Sequence, residues 1–264
     1  MKALFLLQIL FIAVLPAQTI IERFPPPEGF KRLTLADTTF GAWLRQRPLL
    51  PPGSPLCDFN NRIRKSAEDS TLAAIVDMDI RGRRLEQCMD ILMRLYSQWL
   101  VENNKTEQLR WPMPGGVFLS WSDWRQGRRP VFKRDHYELS ETGPAPDNDD
   151  LDAYLNTLYA LSGTQTFYFA YRPVDRQNVR PGDFIVKKST RHGHTVLIMD
   201  VVVNKAGTRR VMVAQGDTPA VPLHVLRGAN GSVWFPVDER PRPALPIRKK
   251  MYWSGLRRFS RPGR

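Results

Sequence analysis

Hydrophobic positions recur along this chain with two different periods. Between residues 85 and 100, Leu85, Cys88, Leu92, Leu95 and Trp99 fall three or four apart, which places them on one stripe of a helix. Residues 151–161 repeat that spacing behind an acidic first turn, which suits the positive end of a helix dipole. A shorter amphipathic piece spans residues 39–47. It lies within the proline-punctuated stretch 22–55, which reads as an arm wrapped on the domain. The run LAAIVDMDI over 72–80 ends near Gly82 and predicts a buried strand. Residues 117–124 and 131–139 are strand-like around a polar turn at 124–128, and 138–150 reads as an acidic, exposed loop. The last third is the most regular. Residues 183–186, 195–204, 209–215 and 221–226 are successive β-type runs separated by turn residues such as Pro181-Gly182 and Ala206-Gly207. Strands gathered at the end of the chain with helices before them predict an α+β fold with a C-terminal antiparallel meander, not a doubly wound parallel sheet.

The ends of the chain change this picture. Lys2, the apolar stretch 3–15 and the Pro16-Ala17 break have the layout of a cleavable signal peptide over 1–17. A span needs roughly 20 apolar residues, so the stretch is short for a membrane helix, and the alternative is a retained amphipathic anchor. No cysteine follows it, which argues against a lipid anchor. The expected mature unit is one α+β domain over 18–256 with a Pro-rich arm, followed by a basic tail over 257–264. Its expected place is the periplasm or cell surface.

A formal charge of +13 over 264 residues favours anionic partners. For an exported protein these are peptidoglycan or other anionic envelope polymers, with peripheral membrane contact as a further expectation. The competing reading is a solvated Arg-rich surface without a partner. No helix-turn-helix, zinc-finger spacing or RNA-binding aromatic signature is present, so no nucleic acid is expected. No cofactor motif is present either.

Several side chains could carry chemistry. Cys57 and Cys88 are the two cysteines, and a pair in an oxidising compartment suggests a disulfide. Cys88 also sits on the apolar stripe, where an inert core thiol is the ordinary case. Asp77 and Asp79 alternate along the run 72–80 and could face a cation or a sugar, or end a strand at a polar rim. His192 and His194 alternate and could ligate a metal, but no third ligand accompanies them, and no metal is assigned. Trp121, Trp124 and Arg125 could form a stacking surface for sugar or peptide, or belong to the core.

Ordered blocks along nearly the whole chain carry a resemblance. They are FGAWLRQRPL (40–49), AAIVDMDI with LEQCMDILMRLY (73–96), WSDWRQGRR (121–129), YALSGT (159–164), PGDFIV through GHTVLIMDV (181–201), VAQGDTPA (213–220) and LHVL (223–226). In these the chain resembles the bacterial family catalogued as domain of unknown function 4846. Cys57 falls where that pattern has no cysteine.

A second resemblance is mechanistic. A Gln-Cys at the front of a helix, a Pro-Gly-Asp strand, a Gly-His strand and a hairpin ending in a polar residue resemble the papain-like CHAP amidases and endopeptidases. That likeness implies Cys88 as nucleophile, His194 as base, Gln215 as the group orienting the imidazole and Gln87 as an oxyanion donor. The function it implies is a thiol hydrolase acting on cell-wall peptide or amide bonds. The alternative is a non-catalytic envelope protein that binds an anionic glycan or a protein partner.

Overall fold

Strict alternation of side chains on three consecutive strands organises the molecule. In the computed structural model, which describes residues 17–259 except Pro144 and 190–192, these strands send alternate residues into two cores. Phe184, Val186, Leu197, Met212 and Ala214 enter one; Ile185, Val196, Ile198, Val211 and Val213 enter the other. A strand with both faces buried must be apolar throughout, which explains the near-continuous apolar runs.

The elements follow in chain order. The arm carries α1 (Ile20–Arg23), β1 (Phe30–Arg32), α2 (Phe40–Arg45), β2 (Leu56–Cys57) and β3 (Ile63–Lys65). The middle contains β4 (Leu72–Ile75), α3 (Cys88–Glu102), β5 (Arg110–Pro112), β6 (Phe118–Ser120), α4 (Trp121–Arg125), β7 (Arg128–Lys133) and β8 (His136–Glu141). Then come α5 (Leu151–Leu161), α6 (Thr164–Ala170), β9 (Asp183–Lys187), β10 (His194–Asn204), β11 (Arg209–Gln215), β12 (His224–Leu226), β13 (Trp234–Val237) and β14 (Leu256–Arg258).

One eight-stranded antiparallel sheet runs β14-β9-β10-β11-β12-β4, with β1 on β10 and β13 on β11. Besides pairing with each other, the two long central strands each serve two further partners. β10 pairs with β9 from His194 to Leu197 and with β1 from Val202 to Asn204. β11 pairs with β13 from Arg209 to Met212 and with β12 at Ala214 and Gln215. Helix α3 lays Met89, Ile91, Leu92, Met93 and Leu95 on the first core. The fold is α+β, as the order of elements predicts.

The arm is held by one buried charge. A bulge between Ile198 and Asp200 breaks the β10–β11 register. Asp200, fully buried, receives Arg32 of β1 and Arg45 of α2, both at 2.7 Å. Two guanidinium partners satisfy both oxygens, which is the condition under which a buried carboxylate is tolerated.

Several sequence expectations are corrected. The run 72–80 is a strand only over Leu72–Ile75, and Asp77 and Asp79 lie beyond it, exposed, with Asp79 paired to Arg81. The strand expected over 117–124 stops at Ser120, whose hydroxyl caps α4 by accepting from the Asp123 N–H. The turn of the following hairpin is not at 124–128 but at Arg134 and Asp135, with Lys133 opposite His136. Residues 138–141, assigned to a loop, complete β8. The expected basic tail does not begin at 257: Arg257 is buried within β14, and Phe259 packs on Phe184 at a ring distance of 4.5 Å. Residues 260–264, and 1–16 of the signal-peptide assignment, lie outside the described residues.

Asp200→Asn should leave two guanidinium groups facing a neutral amide and cost about 3–5 kcal/mol. The urea midpoint checks this, and an unchanged midpoint would show that the arm is held by other contacts.

Candidate functional site

The start of α3 is fixed by its own side chains. Gln87 is extended at the N-cap, and the Asp90 carboxylate accepts its backbone N–H at 3.0 Å. Upstream, successive tight turns bond Arg83 N–H to the Ile80 carbonyl and Glu86 N–H to that of Arg83, so the helix does not extend backward. Cys88 is therefore the first helical residue. The expected helix over 85–100 is displaced to Cys88–Glu102, and Leu85 leaves the buried stripe for a partly exposed position. A helix start leaves backbone N–H groups without carbonyl partners, and Cys88 sits among them.

Two glycines bring the sheet to this helix end. A Cβ on Gly216, just after β11, would lie 2.5 Å from Ile91 Cδ1 and 3.4 Å from the Cys88 Cα. A Cβ on Gly193, just before β10, would lie 1.8 Å from the Thr164 hydroxyl oxygen. No side chain fits at Gly193 without displacing Thr164, and one at Gly216 would press on the Ile91 methyl. Cys88 and His194 consequently line one cavity of about 470 Å³, together with Gln87, Tyr159, Thr164 and Asp217.

His194 opens β10 and Gln215 closes β11. A directed chain of hydrogen bonds joins them to His224 of β12. The Pro222 carbonyl only accepts, so at 3.2 Å His224 Nδ1 must donate to it. Burial pushes the His224 pKa down to about 4, so its ring is neutral and Nε2 is an acceptor. Gln215 Nε2 then donates to it at 3.4 Å, and Gln215 Oε1 accepts from His194 Nε2 at 2.7 Å. Burial lowers the His194 pKa as well, with Lys249 and Lys187 acting in the same direction against Gln215 and Asp217. A neutral His194 with its proton on Nε2 holds a lone pair on Nδ1, the form a general base requires.

The thiol has different surroundings. Burial pushes Cys88 up to about 12, and the charges of Asp90 and Asp217 add to the rise. Hydrogen bonds to the backbone of Thr195 and Met89 pull it down but do not prevail, and the first of these sets the sulfur beside the residue that follows His194. Asp90 is itself raised to about 8 by burial, with neighbouring Glu86 adding to it. At neutral pH the pair rests as a thiol and a neutral imidazole, not as an ion pair.

Gln87 Oε1 accepts from the Thr218 hydroxyl at 2.7 Å, which leaves the amide nitrogen as the donor end of that side chain. Both cysteines are free, which removes the Cys57–Cys88 disulfide. Cys88, His194, Gln215 and Gln87 are thus brought together. Trp121, Trp124 and Arg125 are not part of that group. They lie on α4; Trp124 is buried with its Nε1 donating to the Asp147 carbonyl, and Arg129 covers its ring at 3.5 Å. Trp121 packs edge-on against Tyr154, and Arg125 pairs with Asp149, so no stacking surface is formed. His192 lies outside the described residues. Among the described residues no three His, Cys, Asp or Glu side chains are grouped to hold a metal. No helix there is long and apolar enough to cross a membrane.

Sequence reasoning missed His224. The signal was available in the LHVL block, which puts an imidazole in an apolar strand, but its neighbour Gln215 is visible only through the β11–β12 register. Lys249 was also missed, since the loop that carries it has no periodic pattern.

Fold and cavity together define an α+β protein with a buried thiol, an imidazole and an amide on adjoining elements. Residues 20–249 match the model of the family described as domain of unknown function (4846), and the chain belongs to that family. No curated protein and no solved structure matches the chain.

Proton NMR titration of the imidazole resonances checks the charge states. His224 should stay neutral until about pH 4, His194 should titrate below the usual 6.5, and exposed His136, beside Asp135 and Glu138, above it. A His194 that titrates above 6.5 would contradict the neutral resting ring.

Proposed function

We propose that the protein is an exported thiol hydrolase that cleaves peptide or amide bonds of the cell wall. The observation that carries the proposal is the directed hydrogen-bond chain, which leaves His194 Nδ1 as a base in the cavity that holds Cys88. The likeness to CHAP amidases and endopeptidases supports the same four roles. Residues 1–17 support export, and the net charge of +13 suits an anionic wall polymer.

The chemistry follows from the resting charges. A thiol with a pKa of about 12 is no nucleophile until its proton moves. His194 takes that proton as the sulfur attacks the carbonyl carbon, and Gln215 Oε1 keeps its hydrogen bond to Nε2 throughout. The developing oxyanion is met by the Gln87 amide nitrogen and the backbone N–H of Cys88 at the start of α3. The C–N bond breaks as the imidazolium returns its proton to the leaving nitrogen, and water then hydrolyses the thioester and restores the thiol.

A non-catalytic role, binding an anionic glycan or a protein partner of the envelope, is the second reading. The observation in its favour is the raised Cys88 pKa, which an inert cavity thiol would share.

Release of soluble fragments from purified peptidoglycan separates the two. Wild-type protein should release them, and Cys88→Ala and His194→Ala should each reduce the rate by about 100-fold or more. Binding to the wall without release, unaffected by either variant, would leave the second reading. The rate should fall as pH drops through the His194 pKa, below 6.5, because the protonated ring cannot act as a base. In Gln215→Glu, a carboxylate beside Nε2 favours the imidazolium, so this acid limb should move to higher pH.

A further inference from the structure

The thiol cavity has neighbours of opposite character. On one flank, a cavity of about 450 Å³ shares Gly163 and Ser189 with it and is lined by Met113, Phe118, Phe169 and Ala170. On another, a cavity of about 570 Å³ shares His194, Asp217, Thr218 and Lys249, and adds Arg64, Lys65 and Arg248. The two flanking cavities share no lining residue.

The second cavity has an excess of positive charge. Its acids are Asp69 and Asp217. Asp69 is engaged by Lys65 at 3.3 Å, and the Lys65 ammonium also bonds the Thr71 hydroxyl. Arg64, Arg248 and Lys249 form no ion pair among the described residues, and with Asp69 engaged by Lys65 the remaining acid of the lining is Asp217. Cations held around one hollow by a hairpin and a separate loop select a negative ligand group.

We infer that this cavity is a subsite for a carboxylate carried on the leaving-group side of the substrate. The inference rests on the hydrolase reading for its direction. An imidazole that takes the thiol proton must then hand it to the leaving atom, so the leaving group lies on the imidazole side of the sulfur. His194 lines the basic cavity and Cys88 does not, whereas the apolar cavity touches neither. The acyl part accordingly extends toward Phe118 and Phe169, and the part released carries the charge toward Arg64 and Arg248.

Two acetyl esters that differ only in the leaving group test this: 4-acetoxybenzoate and its neutral counterpart 4-acetoxybenzamide. Cys88 attacks the acetyl carbon, the aryl C–O bond breaks, the phenol leaves with the proton from His194, and water hydrolyses the acetyl-thioester. The anionic ester should be preferred in kcat/KM by roughly tenfold, one ion-pair's worth of discrimination, and rising salt should reduce the preference. Arg64→Ala with Arg248→Ala, both exposed positions, should abolish it without lowering the rate on the neutral ester. Moving the charge to the acyl part, as phenyl hemisuccinate against phenyl butyrate, should give no preference. Calorimetric binding of 4-hydroxybenzoate against 4-hydroxybenzamide to the Cys88→Ala protein reads the subsite without turnover. Equal binding of the two overturns the subsite, whatever the esters show. Selective binding of 4-hydroxybenzoate, lost in the arginine variant, together with no acetylation of Cys88 by mass spectrometry, upholds the subsite and overturns the hydrolase.

Discussion

A single carbonyl that can only accept sets the protonation of everything downstream of it. Pro222 fixes the tautomer of His224, His224 fixes the orientation of the Gln215 amide, and Gln215 fixes the proton of His194. Each link is buried and none carries a charge at neutral pH, so the chain holds without the desolvation cost of a buried carboxylate. An Asp in place of Gln215 would stabilise an imidazolium; the amide instead orients a neutral ring. At neutral pH the arrangement therefore rests as a neutral imidazole and a protonated thiol, with no stored thiolate.

That electrical neutrality sits within an acidic underside. Asp90 and Asp217 both raise the Cys88 pKa, and buried Glu86, bonded to Arg94 at 2.8 Å, lies one residue before the N-cap. The start of a helix ordinarily lowers the pKa of a thiol. Here burial and two carboxylates outweigh that effect, because a cavity lined by Tyr159, Met89 and Leu85 offers the anion little solvation. Lys249 and Lys187 lower the His194 pKa, and Lys249 with Arg64, Lys65 and Arg248 lines the second cavity. Much of the chain's positive charge, by contrast, is consumed structurally, as in Arg32 and Arg45 on Asp200, Arg129 on Trp124 and Arg258 on Asp183.

Five of the blocks that carry the resemblance meet at one place. LEQCMDILMRLY provides the thiol, YALSGT provides Tyr159 and the Thr164 that Gly193 must clear, GHTVLIMDV the imidazole of His194, VAQGDTPA the amide and Gly216, and LHVL the second imidazole. The WSDWRQGRR block does something else. It caps α4 and seats Trp124 in the core beneath Arg129, and its aromatics are explained by packing alone.

Where one period persisted over many residues, the amino-acid order by itself determined the element. Helix α5 and strand β11 have the bounds that the pattern predicts, and strands gathered late in the chain determined the α+β class. Short elements were less legible, because three or four residues cannot distinguish a strand from a capped helix: Ser120 and Asp123 turned an aromatic run into α4, and two successive turns delayed α3 to Cys88. The meeting of Cys88 with His194, the neutral chain through His224 and the basic hollow beyond them were decided only by tertiary structure. Each depends on strand register and on the close approach that Gly193 and Gly216 permit, and those are relations between segments far apart in the chain, which no local periodicity encodes.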